Sequence, residues 1–209
     1  MKDIVIYGAG GFGRETALLI EQINSHLPQW NVVGFCDDGK EVGEKIGLYQ
    51  VLGGWNYINE VTHEMNVVIA IADPLAREKI RTNLANANLR FPSLVHPSVL
   101  INATCQIGEG SILCAGTRIT VDVTIGSFVI VNLNCTLGHD CRLENFSSLM
   151  PAVNVSGNVK VGVGAYIGAG AILLQGITIG NYSLVGAGAV VNKSFDGNKK
   201  IMGVPARAI

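Results

Sequence analysis

Stepping by six from Val95 to Val191, the chain places Val, Ile or Leu at seventeen consecutive positions. If about a third of residues were aliphatic by chance, such a run would arise about once in 10⁸ sequences. A second register lies four residues after each of these and carries small or β-branched side chains, among them Val99, Cys105, Ser111, Thr117, Val123, Cys135, Cys141, Ser147, Ala165, Ala171 and Ala189. A period this short and this long-lived marks a repeat architecture. The physical reading is a parallel β-helix. Each hexad is a short strand plus a turn, and three hexads make a triangular coil of about 18 residues. The aliphatic residue points inward and stacks on its counterparts about 4.8 Å above and below. Glycine often follows the aliphatic residue, as at Gly108, Gly126, Gly138, Gly162, Gly168, Gly180 and Gly186. It is expected to supply turn conformations closed to other residues.

Composition agrees and narrows the setting. Twenty-six glycines with only 6% aromatic residues suit tight β turns better than a helical bundle. Residues 161–192 carry no charge, but they hold eight glycines and keep the six-residue period, which argues against a membrane span. Net charge is −1, and no Lys/Arg cluster offers a nucleic-acid footprint. Met1-Lys2-Asp3 leads straight into the strand-like Ile4-Val5-Ile6-Tyr7, with no basic leader or cleavage site. Five cysteines without a CxxC pair suit a reduced, cytoplasmic setting.

The first ninety residues read differently. A strand over residues 4–7 meets Gly8-Ala9-Gly10-Gly11-Phe12-Gly13, then a helix over 14–23. A strand over 31–36 ends at Asp37-Asp38, and a strand over 67–72 leads into a helix over 75–85. This βαβαβα pattern predicts a half-Rossmann α/β domain with a parallel sheet. The expected domains are therefore residues 1–92 and 93–209. Gly8, Gly10 and Gly13 match GxGxxG between strand and helix, where backbone can approach a phosphate at a helix N-terminus. Asp37 stands where a ribose-binding acid would sit. A nicotinamide dehydrogenase is the obvious rival, but ninety residues hold only one mononucleotide half and no domain for hydride chemistry follows. A nucleotide sugar offers the same ribose and pyrophosphate. A purely structural glycine turn is the third reading.

The hexads resemble those of the left-handed β-helix acyltransferases, and the left hand of the coil is implied by that resemblance. From end to end, GAGGFGRE, Asp37-Asp38, Ile69-Ala70-Ile71-Ala72 and the repeats resemble the sialic-acid O-acetyltransferase-like family, whose best-understood type is the bacterial UDP-4-amino-sugar N-acetyltransferase. The resemblance implies an acetyl-CoA-dependent transferase acting on a nucleotide-linked amino sugar, without metal. It implies that Gly10, Gly11, Asp37 and Asp38 hold the nucleotide, and that Gly203-Val204-Pro205-Ala206-Arg207 closes the helix near the coenzyme. It also implies a homotrimer with the active site between subunits. The chain departs from the family where Phe12 and Ala72-Asp73 stand, and at Ser148, where some relatives carry a second histidine.

Of four histidines, His26 and His63 read as surface residues, and His96 precedes Pro97 where the domains meet. His139 is third in the hexad Leu137-Gly138-His139-Asp140-Cys141, so it should project outward near a coil edge. A lone outward histidine is usually only solvated. The resemblance gives it the catalytic place, as the base that takes a proton from the attacking amine or hydroxyl. Asp140 could orient the imidazole, if turn geometry brings this i, i+1 pair to one side. Gly157 lies 18 residues on, so one coil away, and its family counterpart donates a backbone N–H to the thioester carbonyl. Gln175, one coil further, should border the coenzyme track, with Gly188, Gly203 and Pro205 beyond it. Ser148 could contact substrate or acyl donor. Alternatives are an O-acetyltransferase of sialic acid or another acceptor, a non-catalytic nucleotide-sugar-binding scaffold, and a γ-type carbonic anhydrase. The last needs three histidines around zinc, and the spacing of His96 and His139 is not a multiple of 18.

Overall fold

A computed structural model describes residues 1–209, which divide into two compact units, 1–97 and 98–209. In the first, β1 (Lys2–Tyr7) runs into α1 (Gly11–His26), β2 (Trp30–Cys36), β3 (Lys45–Ile46), β4 (Tyr49–Gly53), α2 (Trp55–Asn59), β5 (Met65–Ile69), α3 (Pro74–Asn83) and β6 (Leu89–Arg90). The sheet order is β3-β4-β2-β1-β5-β6, parallel except for the β3–β4 hairpin at its edge. From β1 the chain builds one way to β2 and the other way to β5, so the switch point lies beside the carboxyl end of β1. The expected α/β unit is therefore present, with β3, β4, α2 and β6 added. These additions have two- to five-residue segments, too short to show a period. Asp73, one of the family departures, caps α3: its Oδ1 accepts the Ala76 N–H at 2.8 Å, with Pro74 opening the helix. The Arg77 guanidinium is fully buried, donating to the Ile71 and Ala72 carbonyls at 2.6 and 3.2 Å. Burial lowers its pKa to about 9.

The second unit is the parallel β-helix. Its two-residue strands pair in register 18 residues apart along three walls. One wall stacks Arg118-Ile119, Thr136-Leu137, Asn154-Val155, Ile172-Leu173 and Val190-Val191. The next begins at Gln106-Ile107 and runs through Arg142-Leu143 to Thr178-Ile179. The third includes Ile112-Leu113, Ile130-Val131, Ser148-Leu149 and Tyr166-Ile167. The aliphatic residues from Leu113 to Val191 form a continuous dry column. Ile101, in the first turn, is 38% exposed, because an end turn has a stacked neighbour on one side only. Cys135 and Cys141 lie in the small inward register, and burial raises the Cys135 thiol to about 11.

The glycines work differently from the expectation. The left-handed backbone recurs three residues after the aliphatic position, not one. Asp122, Phe128, Asn134, Asp140, Phe146, Ala152 and Asn158 adopt it with φ of 55–61°, and Gly110, Gly116, Gly164, Gly170, Gly176 and Gly188 continue the series. The glycines directly after the aliphatic residue are required by the next coil. A Cβ on Gly138 would lie 2.6 Å from Gly157 N, and one on Gly168 would lie 2.5 Å from Ala187 N. No helix is long and apolar enough to cross a membrane.

The contrast is testable by thermal denaturation. Gly168→Ala, which meets neighbouring backbone, should destabilise by about 1–3 kcal/mol. Gly170→Asn, left-handed but facing open space, should change stability by only about 0.5 kcal/mol. Equal effects would contradict this division of roles.

Candidate active site

His139 and Asp140 occupy the corner between the first and second walls. In a strand, successive side chains diverge. Here Asp140 has φ +58°, and the corner folds its carboxylate back so that Oδ2 lies 2.8 Å from His139 Nδ1. Sharing of Nδ1–H with the carboxylate fixes the tautomer and leaves the Nε2 lone pair open as a proton acceptor. Both side chains are more than half exposed in the isolated chain. The other three histidines lie in the amino-terminal unit.

The next coil supplies the opposite face of the site. Asn158 N donates to the His139 carbonyl at 2.7 Å, which locks the two coils together. A Cβ on Gly157 would lie 2.3 Å from His139 Nε2, so only glycine leaves room for the imidazole in this position. At the same place in other coils, Ser127 N and Val163 N donate to the Asn145 and Asn181 side chains one coil on, at 2.8 and 3.0 Å. Gly157 faces Gln175 at that step, and no acceptor in the chain takes its N–H. An imidazole lone pair and an unclaimed backbone N–H therefore stand side by side. That pair can accept a proton from a nucleophile and donate to an oxyanion. Gln175 is exposed, one coil beyond Gly157. The same 18-residue step backward gives Val121, which is 42% exposed and whose carbonyl accepts the Asp140 N–H at 3.2 Å. Periodicity could have found it.

Two shallow depressions flank the corner. One, of about 380 Å³, lies on the first wall around Arg118, Thr136, Gly138, Asn154 and Ser156. The other, of about 320 Å³, lies on the second wall around Asp140, Arg142, Asn158, Lys160 and Thr178.

Not every expected residue joins this group. Ser148 lies on the third wall, and its side chain is fully buried within the chain. Its hexad position, directly before the aliphatic residue, is exposed in most coils, but along Ile112, Ile130 and Ser148 it is covered. Gly188, Gly203 and Pro205 are exposed and lie towards a different corner, between the third and first walls. Within one chain they form a separate group from His139.

In the amino-terminal unit, Gly8 has φ +105°, and a Cβ on Gly13 would sit 1.8 Å from the Gly8 carbonyl oxygen, so α1 packs hard against the turn. Gly10 and Gly11 face open space, and the 16-residue α1 begins without a side-chain cap. Such a terminus presents free N–H groups to an anion. Asp37 and Asp38 also hold the loops. Asp37 accepts the Ala9 and Gly39 N–H groups, each at 2.9 Å. Asp38 accepts the Tyr7 hydroxyl and, at 3.0 Å, the Trp55 N–H. Burial, then Asp38, raises the Tyr7 pKa, which keeps the phenol a donor. Tyr7 carried no signal in the sequence, since its partner lies 31 residues away.

Residues 3–84 match the PglD N-terminal domain family. The chain is 29% identical over 173 residues, 82% of its length and 78% of the relative's, to a GDP-perosamine N-acetyltransferase of Escherichia coli O157:H7. It superposes on WeeI from Acinetobacter baumannii AYE with a TM-score of 0.90 at 33% identity, over 100% of both chains. It also matches a His-to-Asn mutant of perosamine N-acetyltransferase from Caulobacter crescentus, solved with CoA and GDP-perosamine. That match has a TM-score of 0.89 at 28% identity and covers 100% of this chain and 97% of that one.

The corner geometry makes its own prediction. In long-range ¹H–¹⁵N spectra, neutral His139 should be the Nδ1–H tautomer, and Asp140→Asn should lose that preference. A wild-type His139 protonated at Nε2 would contradict the assigned contact.

Proposed function

The chain belongs to the hexapeptide-repeat β-helix sugar acetyltransferases, and on that premise we propose that it N-acetylates a nucleotide-linked 4-amino sugar from acetyl-CoA. His139 acts as the general base. The observation that carries this reading is the placement of His139 Nε2 against Gly157, with Nδ1 held by Asp140.

The chemistry follows from those atoms. The amine of the sugar attacks the thioester carbonyl carbon, and a C–N bond forms as the C=O becomes an oxyanion. The Gly157 N–H stabilises that oxyanion. His139 Nε2 takes the proton lost by the nitrogen, and Asp140 stabilises the imidazolium. Collapse of the tetrahedral centre breaks the C–S bond. The proton passes from His139 to the departing sulfur, leaving free coenzyme A and the amide. Ser148 stands where some relatives carry a second histidine, so the acid–base work rests on His139 alone.

Gln175, Gly188, Gly203 and Pro205 border the coenzyme. Gly10 and Gly11 meet the nucleotide's phosphate at the start of α1, while Asp37 and Asp38 shape its pocket and contact the nucleoside. Gly188, Gly203 and Pro205 sit towards another corner than His139, which supports a coenzyme shared between neighbouring copies of a homotrimer.

Two experiments test this reading. Incubation with acetyl-CoA and nucleotide-linked 4-amino sugars should release free thiol, and His139→Ala should lower kcat by about 10²–10⁴-fold. No release with any such sugar, or a near-wild-type rate for the variant, would overturn it. Light scattering should give a mass about three times that of the 22.1 kDa chain, and a monomer would contradict the shared site.

A further inference from the structure

The charges of the β-helix unit are not spread evenly along it. Arg142 and Lys160 stack in register on the second wall, one on the coil of His139 and one on the coil of Gly157. Residues 161–192 then carry no charge, and cations return only at Lys193, Lys199, Lys200 and Arg207. Arg142 and Lys160 line the same depression as Asp140. The Asp140 carboxylate is turned towards His139, and Lys160 Nζ leans on Glu144 Oε1 at 3.1 Å. The Arg142 guanidinium has no hydrogen bond or ion pair within the chain. An uncompensated guanidinium three residues from the proposed base invites an anion.

We infer that Arg142, assisted by Lys160, takes the sugar-side phosphate of the nucleotide-linked acceptor. The inference rests on the acetyl-transfer reading above. Both co-substrates carry phosphates, and length separates them. The pantetheine arm puts roughly 15 Å of uncharged chain between thioester and diphosphate, counted by standard bond lengths. With coils about 4.8 Å apart, that reach leads past the coils of Arg142 and Lys160, along an uncharged span. In the acceptor, one pyranose ring separates the amine from the first phosphate, about 7 Å on the same count. An arginine side chain beginning on the His139 coil covers that distance. Arg142 therefore helps specify a phosphorylated acceptor over a free amino sugar, since a planar guanidinium matches a phosphoryl group with two parallel N–H donors.

Two-substrate kinetics with GDP- and UDP-linked 4-amino sugars test the assignment. Arg142→Gln should raise the KM for the nucleotide sugar about 10- to 100-fold, the weight of a charge-assisted contact. The KM for acetyl-CoA should stay within about twofold, and Tm should not change. Lys160→Gln should do the same more weakly. With the free amino sugar as a slow acceptor, wild type and Arg142→Gln should be equal. A rise in the acetyl-CoA KM instead, or an unchanged nucleotide-sugar KM, would overturn the assignment. Calorimetry with the same nucleotide sugars reads the contact without turnover. Binding that depends on Arg142 in a protein that transfers nothing would count against the reaction and leave the contact standing. Binding indifferent to Arg142 would count against the contact.

Discussion

The parallel ladder that joins strands 18 residues apart, shortened to 16 in the last turn where Leu184 pairs with Lys200, fixes everything else in the β-helix unit. Each rung aligns a backbone N–H with a carbonyl of the next coil, as from Arg142 to Val159 and from Lys160 to Ile177. With the register set, the aliphatic column from Leu113 to Val191 is buried throughout. A slip of one residue would turn the inward column to solvent. The same register brings Gly157 beneath His139. The contact that holds the fold and the contact that builds the site are one repeat unit seen from inside and outside.

The corner adds what a strand cannot. Left-handed backbone is disfavoured for most non-glycine residues and tolerated best by Asn and Asp, and those are the residues at Asp122, Asp140 and Asn158 along this edge. At Asp140 the conformation returns the carboxylate to the preceding imidazole. At Gly157 the requirement is space, since its φ is not positive and its missing Cβ is where the imidazole lies. Two chemically distinct demands thus fall on adjacent coils, and each selects its own residue.

Much of this was legible in the sequence because one coil is a fixed number of residues. The step from His139 to Gly157 to Gln175 needed only counting, and the same count run backward reaches Val121. The βαβ elements and the glycine loop were legible for a similar reason, since strand, loop and helix are contiguous. The rest was not legible because it depends on distant groups. Glycine after the aliphatic residue looks like a turn former, yet it answers the backbone of the next coil, as at Gly138 against Gly157. Ser148 occupies an outward register position, and its burial is not written in its own hexad. The Tyr7–Asp38 contact joins residues whose spacing carries no pattern. The β3–β4 hairpin and α2 are shorter than any amphipathic period.

The amino-terminal unit is built differently, with an uncapped helix start beside a glycine turn at the switch point of a parallel sheet. Asp37 and Asp38 fix its rim by accepting backbone and phenolic donors. The central claim, however, concerns the corner of the β-helix. A crystal structure with coenzyme A and a nucleotide-linked amino sugar tests it most directly. The account predicts the acceptor nitrogen about 3 Å from His139 Nε2, and the coenzyme sulfur beside the Gly157 N–H. An acceptor nitrogen bound beyond reach of that imidazole, with no water between them, would contradict it.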